Sequence, residues 1–290
     1  MKPLPLLLVL LCCCFSTTKA DHKAMQAGFR AYAKGDYPSA LEAWQSAREA
    51  YPYKARYNEG LAAYQMQDPS EAEACFQEAL RSEDLLLQAS SYYNLGILMF
   101  EQAQAHLQTN QLEQAQAPFE KAMDYYEKTL LLIPASPDAK KNYEQAFNDW
   151  YQLHIDLSEH YFLAGEQDLQ ALRAKEAKEQ YTRALIHVDR AEEEPHILRH
   201  QVVSIKEQIL ARLHELDVAV KEAEKALQQA LGLIHLTAYA QAQQILSDAS
   251  AQRAYALDLR DDLNETFEAM RQKNQQIIQI EHAMNSEGNR

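Results

Sequence analysis

Small and large apolar positions recur along this chain at fixed distances. In "AGFRAYAKGDYPSALEAWQSAREAYP" the series is Gly28, Tyr32, Ala40, Trp44, Ala47 and Pro52. Thirty-two residues on, Gly60, Tyr64, Ala72, Phe76 and Ala79 repeat it. A third block opens at "YYNLGILMF", where Gly96 stands 36 residues beyond Gly60. A period near 34 predicts stacked units of two helices each. Antiparallel helices approach most closely where side chains are smallest, so Gly28, Gly60 and Gly96 on first helices should face Ala40 and Ala72 on second helices. Trp44 and Phe76 would then fill the space beyond the contact. A helix-interior Gly costs about 1 kcal/mol relative to Ala, so its recurrence implies a packing need. Gly35 with Asp36, and Gln67 with Asp68 and Pro69, predict the turns inside the units.

The pattern then stretches. After Gly96 the next small–large–small series is Ala122, Tyr126 and Thr129, ending in Pro134. Gly-to-Ala spacing is 12 residues in the first two units and 26 here, an insertion of 14. Shared between two helices it adds about two turns to each, at 3.6 residues per turn. "TNQ" at 109–111 becomes the predicted tip. Asn58 and Asn94 stand two residues before their glycines, and Asn142 lies 48 beyond Asn94, the period plus the insertion. That predicts a long helix from about Asp138 to Ala164 with Gly165 as its C-cap, and a partner helix carrying Ala177, Tyr181 and Ala184. With no Gly at its close contact, this unit reads as degenerate. Pro195 stops the run.

In the last third, Leu198, Val202, Ile205, Ile209, Leu213, Leu216, Val220, Ala223 and Leu227 mark one face at the helical period. Leu259, Leu263, Met270, Ile277, Ile280 and Met284 mark another, interrupted by Thr266 and Lys273. Between them Tyr239, Ala242, Leu246 and Ala249 keep second-helix spacing. Either a fifth degenerate unit sits there, or a long helical hairpin caps the stack or dimerises. Capping is favoured, because the end of a repeat stack needs its apolar face covered.

These residues resemble the tetratricopeptide repeat. The resemblance implies an all-α fold, a right-handed superhelical solenoid of antiparallel helix pairs. It implies three units over residues 21–136, a degenerate pair over 137–194, and long amphipathic C-terminal helices over 195–290, capping or coiled-coil-like. It also implies a concave groove lined by first helices, here by Met25, Phe29 and Tyr32, then Tyr57, Asn58, Leu61 and Tyr64, then Tyr93, Asn94, Ile97 and Phe100. Asn58 and Asn94 resemble the family's groove asparagines, which hydrogen-bond a ligand's backbone. The aromatic residues fit inter-repeat packing as well as ligand contact, since both need a helical stripe. Carboxylate-gripping versions of the repeat need Lys and Arg across the groove, and beyond Lys54 little of that kind is present. A narrower likeness covers residues 92–144. "YYNLG" and "YEKTLLLIPASPDAKKNYE" are similar to the secreted repeat subunits of aerotolerance (Bat-type) operons, whose implied partners are von Willebrand A-domain envelope proteins.

Charge and leader narrow the function. Lys and Arg total 28 against 42 Asp and Glu, a formal net charge of −14, which disfavours nucleic acid and anionic membrane surfaces. "MKPLPLLLVLLCCCFSTTKA" has the layout of a signal peptide cut after Ala20, predicting export across the inner membrane to the periplasm. Its apolar run, Leu4 to Phe15, is too short to span a bilayer of about 30 Å. No later run is long enough, so the mature chain should carry no transmembrane segment. Cys12, Cys13 and Cys14 raise lipoprotein anchoring as the alternative, against which bulky Leu11 precedes Cys12. Cys75 alone follows the leader, excluding an internal disulfide; it reads as a small buried residue beside Phe76. His196 and His200 have i, i+4 spacing beside Glu192 to Glu194, but no third ligand follows, so they read as surface histidines and no metal is expected. There is no phosphate-cradling Gly loop, nucleophile elbow or Cys–His arrangement. The expectation is a non-enzymatic scaffold without cofactors that binds another protein. The alternative is a structural protein that oligomerises through its C-terminal helices.

Overall fold

The computed structural model describes residues 19–252 and 254–287. The leader, with Cys12, Cys13 and Cys14, lies outside them apart from Lys19 and Ala20. No strand occurs among the described residues, and the chain forms two compact units, one up to Trp150 and one from Tyr151. In the first unit the helices are α1 (Lys19–Ala33), α2 (Tyr37–Ser46), α3 (Pro52–Gln65), α4 (Pro69–Ala79), α5 (Leu85–Gln108) and α6 (Leu112–Leu132). The unit boundary falls inside α7 (Pro137–Gln170). The second unit continues with α8 (Ala174–Glu192), α9 (Arg199–His235), α10 (Tyr239–Gln252), α11 (Ala254–Asp258) and α12 (Asp261–Glu287).

One turn closes every hairpin. A single residue takes the left-handed conformation at Gly35, Gln67, Asn110, Leu172 and Thr237. The next amide reaches back five residues to the helix, as in Asp36 N to Ala31 O and Ala238 N to Leu233 O. This is the 6→1 bond of a Schellman motif, which satisfies carbonyls that the ending helix leaves bare. Asp36 and Asp68 then cap the following helices, their carboxylates accepting from the amides of Ser39 and Glu71. The left-handed residue falls seven positions after Gly28 and Gly60, and fourteen after Gly96. The insertion is therefore shared equally between α5 and α6, with the turn at 109–111.

The close contacts follow the small–large pairing. A Cβ built on Gly60 would lie 2.7 Å from Cε1 of Phe76, and one on Gly96 would lie 2.5 Å from Cε1 of Tyr126. Gly28 lies as tightly under the indole of Trp44. Gly165 belongs to this set, which corrects its reading as a C-cap. α7 continues to Gln170, the left-handed residue is Leu172, and a Cβ on Gly165 would lie 2.6 Å from Cε1 of Tyr181. Ala177 and Tyr181 follow Gly165 by 12 and 16 residues, the offsets of the first two hairpins. The α7–α8 hairpin thus has its close-contact glycine. The offset from Asn142 does not lead to it, because α7 is far longer than one repeat helix.

The α9–α10 hairpin keeps the plan with altered sizes. Ala230, seven residues before Thr237, takes the glycine position, and Leu246 the ring position; both are fully buried. A Cβ is tolerated where a leucine replaces the ring. Leu263 and Phe267 of α12 join this cluster, with Met270 partly buried against it. α12 thus packs on the α9–α10 hairpin. Towards its end α12 emerges, and Ile280 and Met284 are exposed.

Two buried polar clusters stand out. In the first unit Glu59 is fully buried, accepting from Arg48 and, at 2.8 Å, from Arg56, which also reaches Glu71 and Glu78. Beside it the Cys75 thiol is pushed up to about 12 by burial and by its contact with Glu71, and so is unreactive. In the second unit His154 and His187 share a buried Nδ1–Nδ1 hydrogen bond of 3.1 Å. Burial, then His187 and Arg190, lower the His154 pKa to about 3. Of the histidines singled out in the sequence, His196 stacks on Tyr151 at 3.9 Å, and His200 is exposed. No group of three metal-ligating side chains occurs among the described residues. None of their helices is long and apolar enough to cross a membrane.

Candidate functional site

The first helices of three successive hairpins meet at one cleft of about 510 Å³. α1 contributes His22, Met25 and Phe29. Tyr51, Lys54, Tyr57 and Asn58 come from the start of α3, and Asp84, Leu86, Leu87 and Ser90 from the start of α5. Of the residues named for the groove, Met25, Phe29, Tyr57 and Asn58 line it. Phe29 is 51 % exposed although it packs edge-on to Trp44. Asp84 caps α5 by accepting from the amides of Leu86 and Leu87, which aims the leucine run at the cleft. Leu86 is 67 % exposed while Leu87 is buried. Tyr51, Asp84, Leu86, Leu87 and Ser90 are not found by the repeat pattern. The signal for them in the sequence is "DLLLQ", with more apolar residues in one turn than one buried face can use.

The asparagines differ in what they touch. Asn94 donates through Nδ2 to the hydroxyl of Tyr57 at 3.0 Å, and Asn142 to that of Tyr93 at 3.1 Å. Each ties a first helix to the one before it. Burial raises the Tyr57 phenol's pKa, partly offset by Asn94 and Ser90, so the hydroxyl stays protonated and able to donate. Asn58 occupies the same position in its helix, but the residue corresponding to Tyr57 and Tyr93 is Met25, three before Gly28. Met25 offers no hydroxyl. Asn58 is 6 % exposed, lines the cleft, and has no side-chain hydrogen bond to any described residue. Its amide is not among the polar atoms sealed from solvent, so it is open to the cleft.

The other named residues sit in packing. Tyr32 meets Tyr37 edge-on and lies tilted against Trp44. Leu61, Tyr64, Tyr93, Ile97 and Phe100 lie partly buried against the core around Phe76, Leu95 and Tyr126. Phe100 meets Phe119 edge-on, and Tyr93 meets Tyr126 at 6.0 Å. The Tyr64 hydroxyl donates to Glu101 at 2.5 Å, and burial with that carboxylate pushes its phenol up to about 12. At the cleft rim Lys54 and Asp84 lie 3.6 Å apart, both well exposed, and such a pair contributes little. Apolar walls, the Asn58 amide, the His22 ring and the paired Lys54–Asp84 rim surround the cleft.

No protein-family profile matches the chain, and no curated protein does. Solved structures do. "TPR2AB-domain:pHSP90-complex of yeast Sti1" is 17 % identical over 88 % of this chain and 98 % of its own, at a TM-score of 0.35. The P58(IPK) TPR domain is 13 % identical over 85 % of this chain and 77 % of its own, at 0.37. A TPR repeats protein from Bacteroides fragilis is 16 % identical over 90 % of this chain and all of its own, at 0.29. Within the chain itself, four rings seated on glycines and a left-handed turn closing each hairpin make the fold an all-α helical repeat.

Proposed function

We propose that this protein is a non-enzymatic interaction scaffold that holds a segment of a partner protein in the cleft between α1, α3 and α5. The observation that carries this reading is the amide of Asn58, reachable from the cleft and not used in a side-chain hydrogen bond, among the apolar side chains of Met25, Phe29, Leu86 and Leu87. An amide offers two donors and an acceptor, which a ligand's backbone or side chain can use. Asn94 supports the site indirectly, by holding Tyr57 in the cleft wall. The leader pattern of residues 1–20 supports a scaffold outside the cytoplasm, in the periplasm. The likeness over residues 92–144 makes a von Willebrand A-domain envelope protein the partner to test.

A second reading has its own observation. Ile280 and Met284 are exposed on the end of α12, a surface that self-association would cover. One experiment separates the two readings. Phe29→Asp with Leu86→Asp changes exposed cleft residues, and Ile280→Asp with Met284→Asp changes the helix end. Cross-linked partner capture from the cell envelope should be lost in the first variant and kept in the second. The reverse, with loss of oligomers in the second, supports assembly through α12. Intact mass of the exported protein checks the leader, with Asp21 expected as the first residue and a lipidated Cys refuting it.

A further inference from the structure

We infer that the cleft at Asn58 is a subsite for a phenol, the side chain of a tyrosine presented by the partner protein. The inference rests on the groove reading above and adds the chemistry of what enters. Between α3 and α5, and between α5 and α7, the same contact is made twice: Asn94 donates to the Tyr57 hydroxyl and Asn142 to the Tyr93 hydroxyl, each on the preceding first helix. Between α1 and α3 the asparagine is kept and the tyrosine is not. Met25 and Asn58 both line the cleft, so the space that the missing phenol would reach is open from outside. Asn58 is 6 % exposed as a residue, and its amide, which forms no side-chain hydrogen bond to a described residue, is not among the polar atoms sealed from solvent, so a molecule entering the cleft can reach it. A ligand that supplies the absent group must therefore bring a hydroxyl on an apolar body.

The walls fit that body. Met25, Phe29, Leu86 and Leu87 surround the position with aliphatic and aromatic surface. Thioether and ring edges pack well against an aromatic ring. The cleft volume of about 510 Å³ holds one aromatic side chain with its flanking backbone, and such sites commonly range over about 300–1,000 Å³. Ser90 and the Tyr57 hydroxyl on the same wall offer a second polar contact. The Lys54–Asp84 pair at the rim leaves no single sign of charge to attract a carboxylate or an ammonium group. A neutral side chain with one polar tip matches this site.

The test uses the purified protein and two blocked tripeptides, acetyl-Gly-Tyr-Gly-amide and acetyl-Gly-Phe-Gly-amide, titrated while the Asn58 side-chain amide is followed by NMR. The tyrosyl peptide is expected to shift that resonance and to bind about 2- to 12-fold more tightly, the factor one net hydrogen bond supplies. Asn58→Ala should abolish the preference. Met25→Tyr should fill the subsite from within, raise the melting temperature and weaken tyrosyl-peptide binding at least about tenfold. If Met25→Tyr does not fold, Asn58→Ala still decides the matter. Equal binding of the two peptides overturns the phenol subsite, as does a preference that survives Asn58→Ala, or no binding of either. The groove reading is judged separately, by partner capture with the Phe29→Asp, Leu86→Asp variant, which does not depend on a tyrosine.

Discussion

Replacing Gly165 by Ala sets two effects of known size against each other. Helix propensity favours Ala by about 1 kcal/mol at an interior position. Against this, the new Cβ would stand 2.6 Å from Cε1, 2.8 Å from Cδ1 and 3.0 Å from Cζ of Tyr181. Carbon atoms in contact prefer about 3.5–4.0 Å, so the ring must shift by roughly 1 Å. It has little room, being fully buried with its hydroxyl donating to Glu166 at 2.6 Å. Glu166 is itself held by two bonds from Arg212, at 2.7 and 3.0 Å. Overpacking of this kind costs about 1–3 kcal/mol, and clamping at both ends places this case in the upper part of that range. The net expectation is a loss of about 1–2 kcal/mol in denaturant unfolding followed by circular dichroism. The α9–α10 hairpin supplies the compensating change, since it pairs Ala230 with Leu246. Gly165→Ala combined with Tyr181→Leu should therefore lose less than the single changes predict, with a coupling of about 1–2 kcal/mol. A C-cap glycine would also resist replacement, but without coupling to Tyr181. Additivity within about 0.5 kcal/mol, or a gain in stability from Gly165→Ala alone, would refute the close-contact assignment.

Thr237 is β-branched and left-handed, with φ of 60°; Thr237→Gly should raise stability by about 0.5–1 kcal/mol, as relief of strain outweighs added freedom in the unfolded chain, measured by thermal unfolding. Glu59→Ala leaves Arg48 and the 11 % exposed Arg56 without their buried partner, and should cost about 3 kcal/mol in urea unfolding. His154 is fully buried, with a pKa lowered to about 3, so between that value and its unfolded pKa near 6.5 the unfolded chain binds the extra proton. Its contribution is complete above about pH 6.5 and is lost as pH falls, by about 2 kcal/mol at pH 5. Stability measured between pH 8 and pH 4 should show this slope, and His154→Asn should flatten it.

Local, repeating features are legible in the sequence alone. Gly28, Gly60 and Gly96, their alanine and aromatic partners, and the equal sharing of the insertion about residues 109–111 all follow from helix geometry, which converts sequence offset directly into position on a face. Gly165 is legible by the same offsets to Ala177 and Tyr181, and is obscured by the length of α7. The polar contacts cannot be read in this way. An asparagine two residues before a glycine looks alike at 94 and 58, yet the first holds Tyr57 and the second has no partner, because the outcome depends on a side chain 37 or 33 residues away on another helix. Glu59 looks like a solvated charge until Arg48 and Arg56 are seen to converge on it, and His154 meets His187 across 33 residues. Periodicity specifies which face of a helix is covered; only the packing of that face against its neighbours decides which polar groups on it find partners.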